Sequence, residues 1–187
     1  MTDKHPILVY DTLTQREDFK LIKHISKTDN IIIDRTLIDT DLSKLSADIS
    51  WLLGFTVGDG NYNKSNDDYR IEWSGHVNAI ECFENVQRII NNDFGYDIKI
   101  YPKNKTKKDF SNIRACVFSK KIREHFLKLG LDYVTCENKT IPSSIFKESV
   151  QNKMAFISGL IDSDGCVDKT GVRIVIKSEK FSHTVQM

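Results

Sequence analysis

The spacing of apolar side chains changes character at Ser46. Before it, apolar residues come in short patches, Ile7-Leu8-Val9-Tyr10 and Ile31-Ile32-Ile33. These read as short strands on either side of a polar stretch with helical potential. From Ser46 the pattern lengthens. SADISWLLGFTVGDG offers Ser46 as an N-cap, an apolar helix through Val57 and a Gly-Asp-Gly stop. YRIEWSGHV alternates over Tyr69, Ile71 and Trp73, as a half-buried strand does. NAIECFENVQRIINNDFG sets Ile80, Phe83, Val86, Ile89 and Ile90 at helical spacing and ends near Gly95. Two strands are predicted next, Asp97 to Tyr101 and Asn112 to Phe118, joined by a lysine-rich loop, and SKKIREHFLKLGL reads as a helix stopping at Gly130. NKTIPSSIF then leads into a second apolar helix, QNKMAFISGLIDSDG, and a strand from Val172 to Ile176.

This order contains a repeat. An apolar helix ending in Gly-Asp-Gly or Ser-Asp-Gly, followed by a strand, occurs twice, and its aspartates, Asp59 and Asp164, stand 105 residues apart. A period of that size implies two pseudo-symmetric halves rather than a solenoid. When WLLGFTVGDG is set against FISGLIDSDG, Gly54 matches Gly159, Gly58 matches Ser163, Asp59 matches Asp164 and Gly60 matches Gly165. Small residues four apart share one helical face and let two backbones approach closely, so the pairs Gly54 with Gly58 and Gly159 with Ser163 mark a helix–helix interface. Helices packed through those faces bring Asp59 and Asp164 together. Two carboxylates in close approach repel unless a cation lies between them, and a hard divalent ion such as Mg2+ suits such oxygens. Beside a phosphodiester, that pair is the equipment of metal-assisted hydrolysis.

Composition narrows the setting. The chain has 187 residues, 40% apolar and 28% charged, in the range of an ordinary globular protein. Its apolar runs are too short to span a bilayer, and MTDKHPILVYD is too charged for a signal-peptide core, so an intracellular location (cytoplasm, organelle or nucleoid) is expected. Cys82, Cys116, Cys136 and Cys166 are widely separated, which suits free thiols rather than a zinc site or a disulfide framework. Net charge is only +1, but lysine is gathered in IKIYPKNKTKK, which holds Lys99, Lys103, Lys105, Lys107 and Lys108 and no acid. Positive charge collected on one face is what a nucleic-acid binder needs.

Both motifs resemble LAGLIDADG, the signature of the homing endonuclease family of that name. FISGLIDSDG is very close to it, and WLLGFTVGDG resembles the first-motif variant of intein-encoded members, in which an apolar residue, here Val57, replaces the motif's first aspartate. The resemblance covers roughly residues 46–187 and implies an α+β fold built on the family's αββαββα unit. It implies a first subdomain over 47–148, the start of a second over 149–187, and residues 1–46 as an N-terminal extension of unassigned role. It further implies a double-motif monomer with pseudo-two-fold symmetry that cuts both strands of DNA with Mg2+ or Mn2+. Asp59 and Asp164 would be catalytic and metal-ligating, assisted by the carbonyls of Gly58 and Ser163. NKTIPSSIF resembles the Lys-x-Ile-Pro segment before the second motif of intein-type members, which makes Lys139 the active-site lysine. The family's sheets form a saddle over the major groove, so Lys64, Arg70, Glu72, Ser74, Lys99 and Arg114 are expected to face DNA, and the 103–108 lysines, Lys103, Lys105, Lys107 and Lys108, to touch phosphates.

The pattern departs from the family in length. Only 23 residues follow Asp164, so the second repeat reads as truncated, and weak binding and poor cleavage are expected. The ends, Met1-Thr2 and Gln186-Met187, lack the groups that splicing chemistry needs, although an intein or intron-homing mobile element fits as the origin. Two alternatives use the same scaffold: an RNA maturase and a DNA-binding regulator without cleavage. Retention of both aspartates argues against the regulator, and an unrelated α/β protein would leave the two apolar helices apart.

Overall fold

A computed structural model of the chain describes residues 6–31, 44–62, 69–102, 111–132, 136–169, 171–179 and 181. The chain divides into two units, Met1–Leu37 and Ile38–Met187.

In the first unit, β1 (Pro6–Asp11), β2 (Arg16–Leu21) and β3 (Asp29–Ile31) form an antiparallel sheet in the order β2-β1-β3. The polar stretch between the apolar patches therefore folds mainly as a strand, with one 3-10 turn at Ile22–His24. The Asp11 carboxylate accepts the Leu13 and Thr14 N–H groups at 2.9 and 3.3 Å, which starts the turn and delivers REDFKL into register against β1. Lys20 then bridges Asp11 and Asp29 at 3.2 and 2.6 Å. Of the patch Ile31-Ile32-Ile33, Ile31 ends β3, and Ile32 and Ile33 lie outside the described residues.

In the second unit, α1 (Ala47–Asp59), β4 (Gly60–Tyr62), β5 (Arg70–His76), α2 (Ile80–Phe94), β6 (Ile100–Pro102), β7 (Asn112–Phe118) and α3 (Lys120–Lys128) follow the order αββαββα. They are followed by α4 (Val150–Asp164) and the hairpin β8 (Gly165–Asp168) and β9 (Gly171–Ile174). Ser46, Ser119 and Ser149 cap α1, α3 and α4, each hydroxyl accepting an N–H of the first turn. Gly95 ends α2 at φ 64°, where any side chain would be strained. The antiparallel sheet runs β4-β5-β7-β6. Ile71, Trp73, Ile113, Ala115 and Val117 line its inner face and are buried with Phe83, Val86, Ile89 and Ile90 of α2 and Ile122 and Phe126 of α3. The strand expected from Asp97 begins only at Ile100. No helix among the described residues is long and apolar enough to cross a membrane.

Helix α1 is apolar nearly all round, because it faces the sheet on one side and α4 on the other. On the sheet side, the indole N–H of Trp73 donates to Thr56 Oγ1 at 2.9 Å, and the Thr56 hydroxyl donates to the Leu52 carbonyl. On the other side α1 and α4 run in the same direction, backbone against backbone. A Cβ placed on Gly54 would collide with the Phe156 carbonyl oxygen and lie 2.9 Å from the Leu160 nitrogen. One placed on Gly159 would collide with the Trp51 carbonyl oxygen and lie 2.9 Å from the Phe55 nitrogen. The contact is reciprocal, as a pseudo-two-fold axis requires. The N-terminal ends are tied too. Buried Glu148 accepts the N–H groups of Lys44 and Leu45 at 3.1 and 3.2 Å, and Asn152 donates to both Glu148 and the Leu45 carbonyl.

Gly54→Val and Gly159→Val should each cost about 2–4 kcal/mol, since rigid backbone rather than a mobile side chain meets the new atoms. Urea denaturation measures this, and a loss below about half a kcal/mol at both positions would contradict the packing.

Candidate active site at the paired helix ends

Both motif helices run up to their aspartates and then turn directly into strands. The Gly60 N–H donates to the Thr56 carbonyl and the Gly165 N–H to that of Ile161, so Asp59 and Asp164 are the last helical residues. Gly60 and Gly165 have ordinary extended backbone, φ −79° and −90°. Glycine serves there for room: a Cβ would press on Thr56 at one turn and on Ile161 at the other.

At this end of the pair the helices still touch. A Cβ on Gly58 would run into the Ser163 side chain and lie 3.2 Å from Asp164 Oδ2, so the Asp164 carboxylate lies over the last turn of α1. The half-buried Asp59 turns its Oδ2 towards β5, 3.6 Å from where a Gly75 Cβ would stand. Ser163 Oγ donates to the Leu160 carbonyl at 2.9 Å.

The electrostatics of the place are adverse. Helix C-termini carry partial negative charge, and each ends here in a carboxylate. The body of the protein raises the pKa of Asp164 by desolvation even though the residue reaches solvent, and Lys139 offsets part of that rise. Lys139 is the cation nearest at hand. Its Nζ donates to the carbonyl oxygens of Val57 and Gly58, the second at 2.7 Å. Its own carbonyl accepts Ser178 Oγ at 2.7 Å, which ties the lysine segment to the chain beyond β9. The Gly58 carbonyl expected to ligate a metal is therefore already engaged by an ammonium group.

A hard divalent ion is compatible with this donor set. Among the described residues no three His, Cys, Asp or Glu side chains cluster, so the available ligands are two carboxylates, helix-end carbonyls, water and a substrate oxygen.

The other sequence-derived candidates divide. Arg70, Glu72 and Ser74 of β5 and Arg114 of β7 share the outer face of the sheet, alternating with the buried Ile71, Trp73, Ile113 and Ala115. Lys99 is exposed in the loop just ahead of β6 rather than on a strand. Lys64, Lys103, Lys105, Lys107 and Lys108 lie outside the described residues. Sequence reasoning missed Asp162, whose carboxylate accepts the Trp51 indole N–H across the helix pair at 2.7 Å. The available signal was its alignment with Val57, where a charged residue stands opposite an apolar one. It also missed Glu148, for which the sequence carries no signal.

Residues 140–185, a stretch that contains all of α4, match the family model described as homing endonuclease. Solved structures of the homing endonuclease I-DmoI resemble the chain. One, in complex with its target DNA nicked in the coding strand and in the presence of Mn, is 23% identical over 68% of this chain and 66% of that chain, with a TM-score of 0.47. Another, in complex with DNA and Ca, is 24% identical over 66% of this chain and 59% of that chain, with a TM-score of 0.44. A third, of mesophilic variants of the homing endonuclease, is 24% identical over 66% and 60%, again at 0.44. The chain thus matches between 59% and 66% of the length of these proteins.

Two predictions test the electrostatics of the paired helix ends. The raised pKa of Asp164 means that the fold favours its protonated form. Ionisation then costs stability above the raised value, and nothing below the ordinary 3.8. Asp164→Asn should therefore raise the melting temperature near pH 7 and lose that advantage as the pH falls below the ordinary carboxylate value, in melting curves taken across the range. Lys139→Met should lower stability by about 1–2 kcal/mol through loss of two charge-assisted hydrogen bonds at the α1 terminus, read by chemical denaturation.

Proposed function

We propose that the chain is the two-motif core of a LAGLIDADG-type homing endonuclease that hydrolyses both strands of a specific DNA duplex. The reading rests on two acid-tipped helices locked glycine to glycine, one of them inside a homing endonuclease match. In it, Asp59 and Asp164 hold a divalent ion, Mg2+ or Mn2+, at the junction of two negative helix ends. That ion, when bound, would polarise the scissile phosphate and lower the pKa of the attacking water.

The chain's own residues set the stage for that step. The glycine interface fixes the separation of the two carboxyl-bearing turns, so little reorganisation is needed when substrate arrives. Lys139, moving from the Val57 and Gly58 carbonyls, is placed to meet a phosphate oxygen as negative charge develops on it. The outer face of β5 and β7 supplies the duplex contacts. Two carboxylates next to a polyanion would weaken a protein that only binds, which favours cleavage over the regulator and maturase readings. A mobile intein or intron as the source, action as a monomer and an intracellular site follow from the same reading.

The test is incubation of the purified chain, in excess and at low salt so that the weak binding and poor cleavage expected from the sequence still register, with a library of long duplexes in Mg2+ or Mn2+, followed by sequencing of the cut ends. Cleavage should be site-specific and should stop with chelator. Asp59→Asn and Asp164→Asn should each reduce it at least about a hundredfold while leaving duplex binding in place. Cleavage that survives both substitutions, or that persists without metal, would sink the assignment.

A further inference from the structure

The outer face of the sheet carries a cluster that charge and alternation alone did not define. Arg70 pairs across the strands with Phe118, Glu72 with Cys116 and Ser74 with Arg114. Arg70 and Arg114 therefore start four residues apart along neighbouring strands, and side chains standing straight off the sheet there would be about 14 Å apart. They do not stand straight. The Arg70 and Arg114 Nη1 atoms lie 3.7 and 3.8 Å from the same atom, Glu72 Oε2.

Glu72 is itself held in place. Ser74 Oγ donates to its Oε1 at 3.2 Å, the Cys116 thiol donates to Oε2 at 3.5 Å, and the side chain is only 13% exposed. Burial, reinforced by the acid, pushes the Cys116 thiol up to about 11, so that thiol stays protonated and remains a donor. The two arginine side chains, by contrast, are about one-third exposed. Both stand at ion-pair rather than hydrogen-bond distance from the carboxylate, and the Nε of Arg114 is buried with no partner. With Tyr101 and the exposed Phe118, the two arginines line a depression open to solvent.

We propose that this cluster is a guanine-reading subsite in which Glu72 is a positioning residue, drawing two arginine forks from opposite directions onto one base step. The proposal rests on the reading of duplex DNA as ligand and specifies what this part of the face recognises. Arginine matches the O6 and N7 acceptors of guanine in a bidentate pair, and two forks gathered at one carboxylate oxygen fall within the span of neighbouring stacked bases. Arginine also pairs bidentately with phosphate, but a phosphate contact carries no base preference, so enrichment of guanine separates the two ligands. The aromatic rim at Phe118 suits the methyl of a thymine beside the guanines.

The experiment selects duplexes from a randomised pool with the full chain at low salt, in calcium, and compares wild type with Glu72→Gln, Arg114→Lys and Arg70→Lys. Wild type should enrich guanine at two neighbouring positions. Arg114→Lys and Arg70→Lys keep the charge and the salt dependence of binding but should each lose roughly tenfold or more of the preference at one position. Glu72→Gln should lose preference at both while total affinity holds or rises, an outcome that a role in charge balance alone would not produce. Thermal melts confirm that each variant folds, and the two lysine variants leave the acid untouched should the Glu72→Gln change prove disruptive. Duplex binding with base preference unchanged in all three variants, or absent in wild type, overturns the subsite alone. No duplex binding by wild type at all overturns the DNA reading and the subsite with it.

Discussion

Everything at the candidate site depends on two backbones touching without side chains between them. At Gly54 and Gly159 the carbonyl of each helix occupies the volume a Cβ on the other would need, so the distance between α1 and α4 is set by main-chain atoms. Main chain does not change rotamer. The spacing is passed unchanged to the last turns, where Gly58 and Ser163 meet and the two aspartates end the helices. Glu148 and Asn152 tie the opposite ends, and the pair behaves as a single rigid piece.

That rigidity is bought at an electrostatic cost. Two carboxylates end two negative helix termini, and desolvation by the surrounding protein raises the pKa of Asp164. Lys139 is the fold's own answer, reaching into the gap from a segment that Ser178 holds. A divalent ion bound as proposed between the aspartates would compete with this ammonium for the Gly58 carbonyl.

Much of this was legible because its signals are local and repeated. Glycines four apart before an Asp-Gly, found twice, are enough to infer a helix pair, and the alternation of Ile71 with Trp73 and of Ile113, Ala115 and Val117 marks the inner face of the sheet. What escaped was decided by partners far away in sequence. REDFKL has no strand period and becomes one by pairing with β1. The three and four residues of β4 and β8 are too short for any period, and pairing with β5 and β9 defines them. Alternation places Glu72 on the outer face, but only the cross-strand register reveals that it gathers two arginines. Likewise the Ile-Pro segment beside Lys139 points to the paired helix ends by resemblance, but not to the carbonyls some eighty positions earlier on which its ammonium ends.

The glycine contact also sets an order of events during synthesis. Gly54 and Gly159 are 105 residues apart, so α1 leaves the ribosome roughly 5–20 s before its partner does. Until then Leu52, Phe55 and Val57, which the finished protein buries, have only the sheet β4-β5-β7-β6 and the helices on it to shelter them. The helix with the most demanding fit is thus the one that waits longest for its cover, and the nascent chain is most open to aggregation or chaperone capture in that interval.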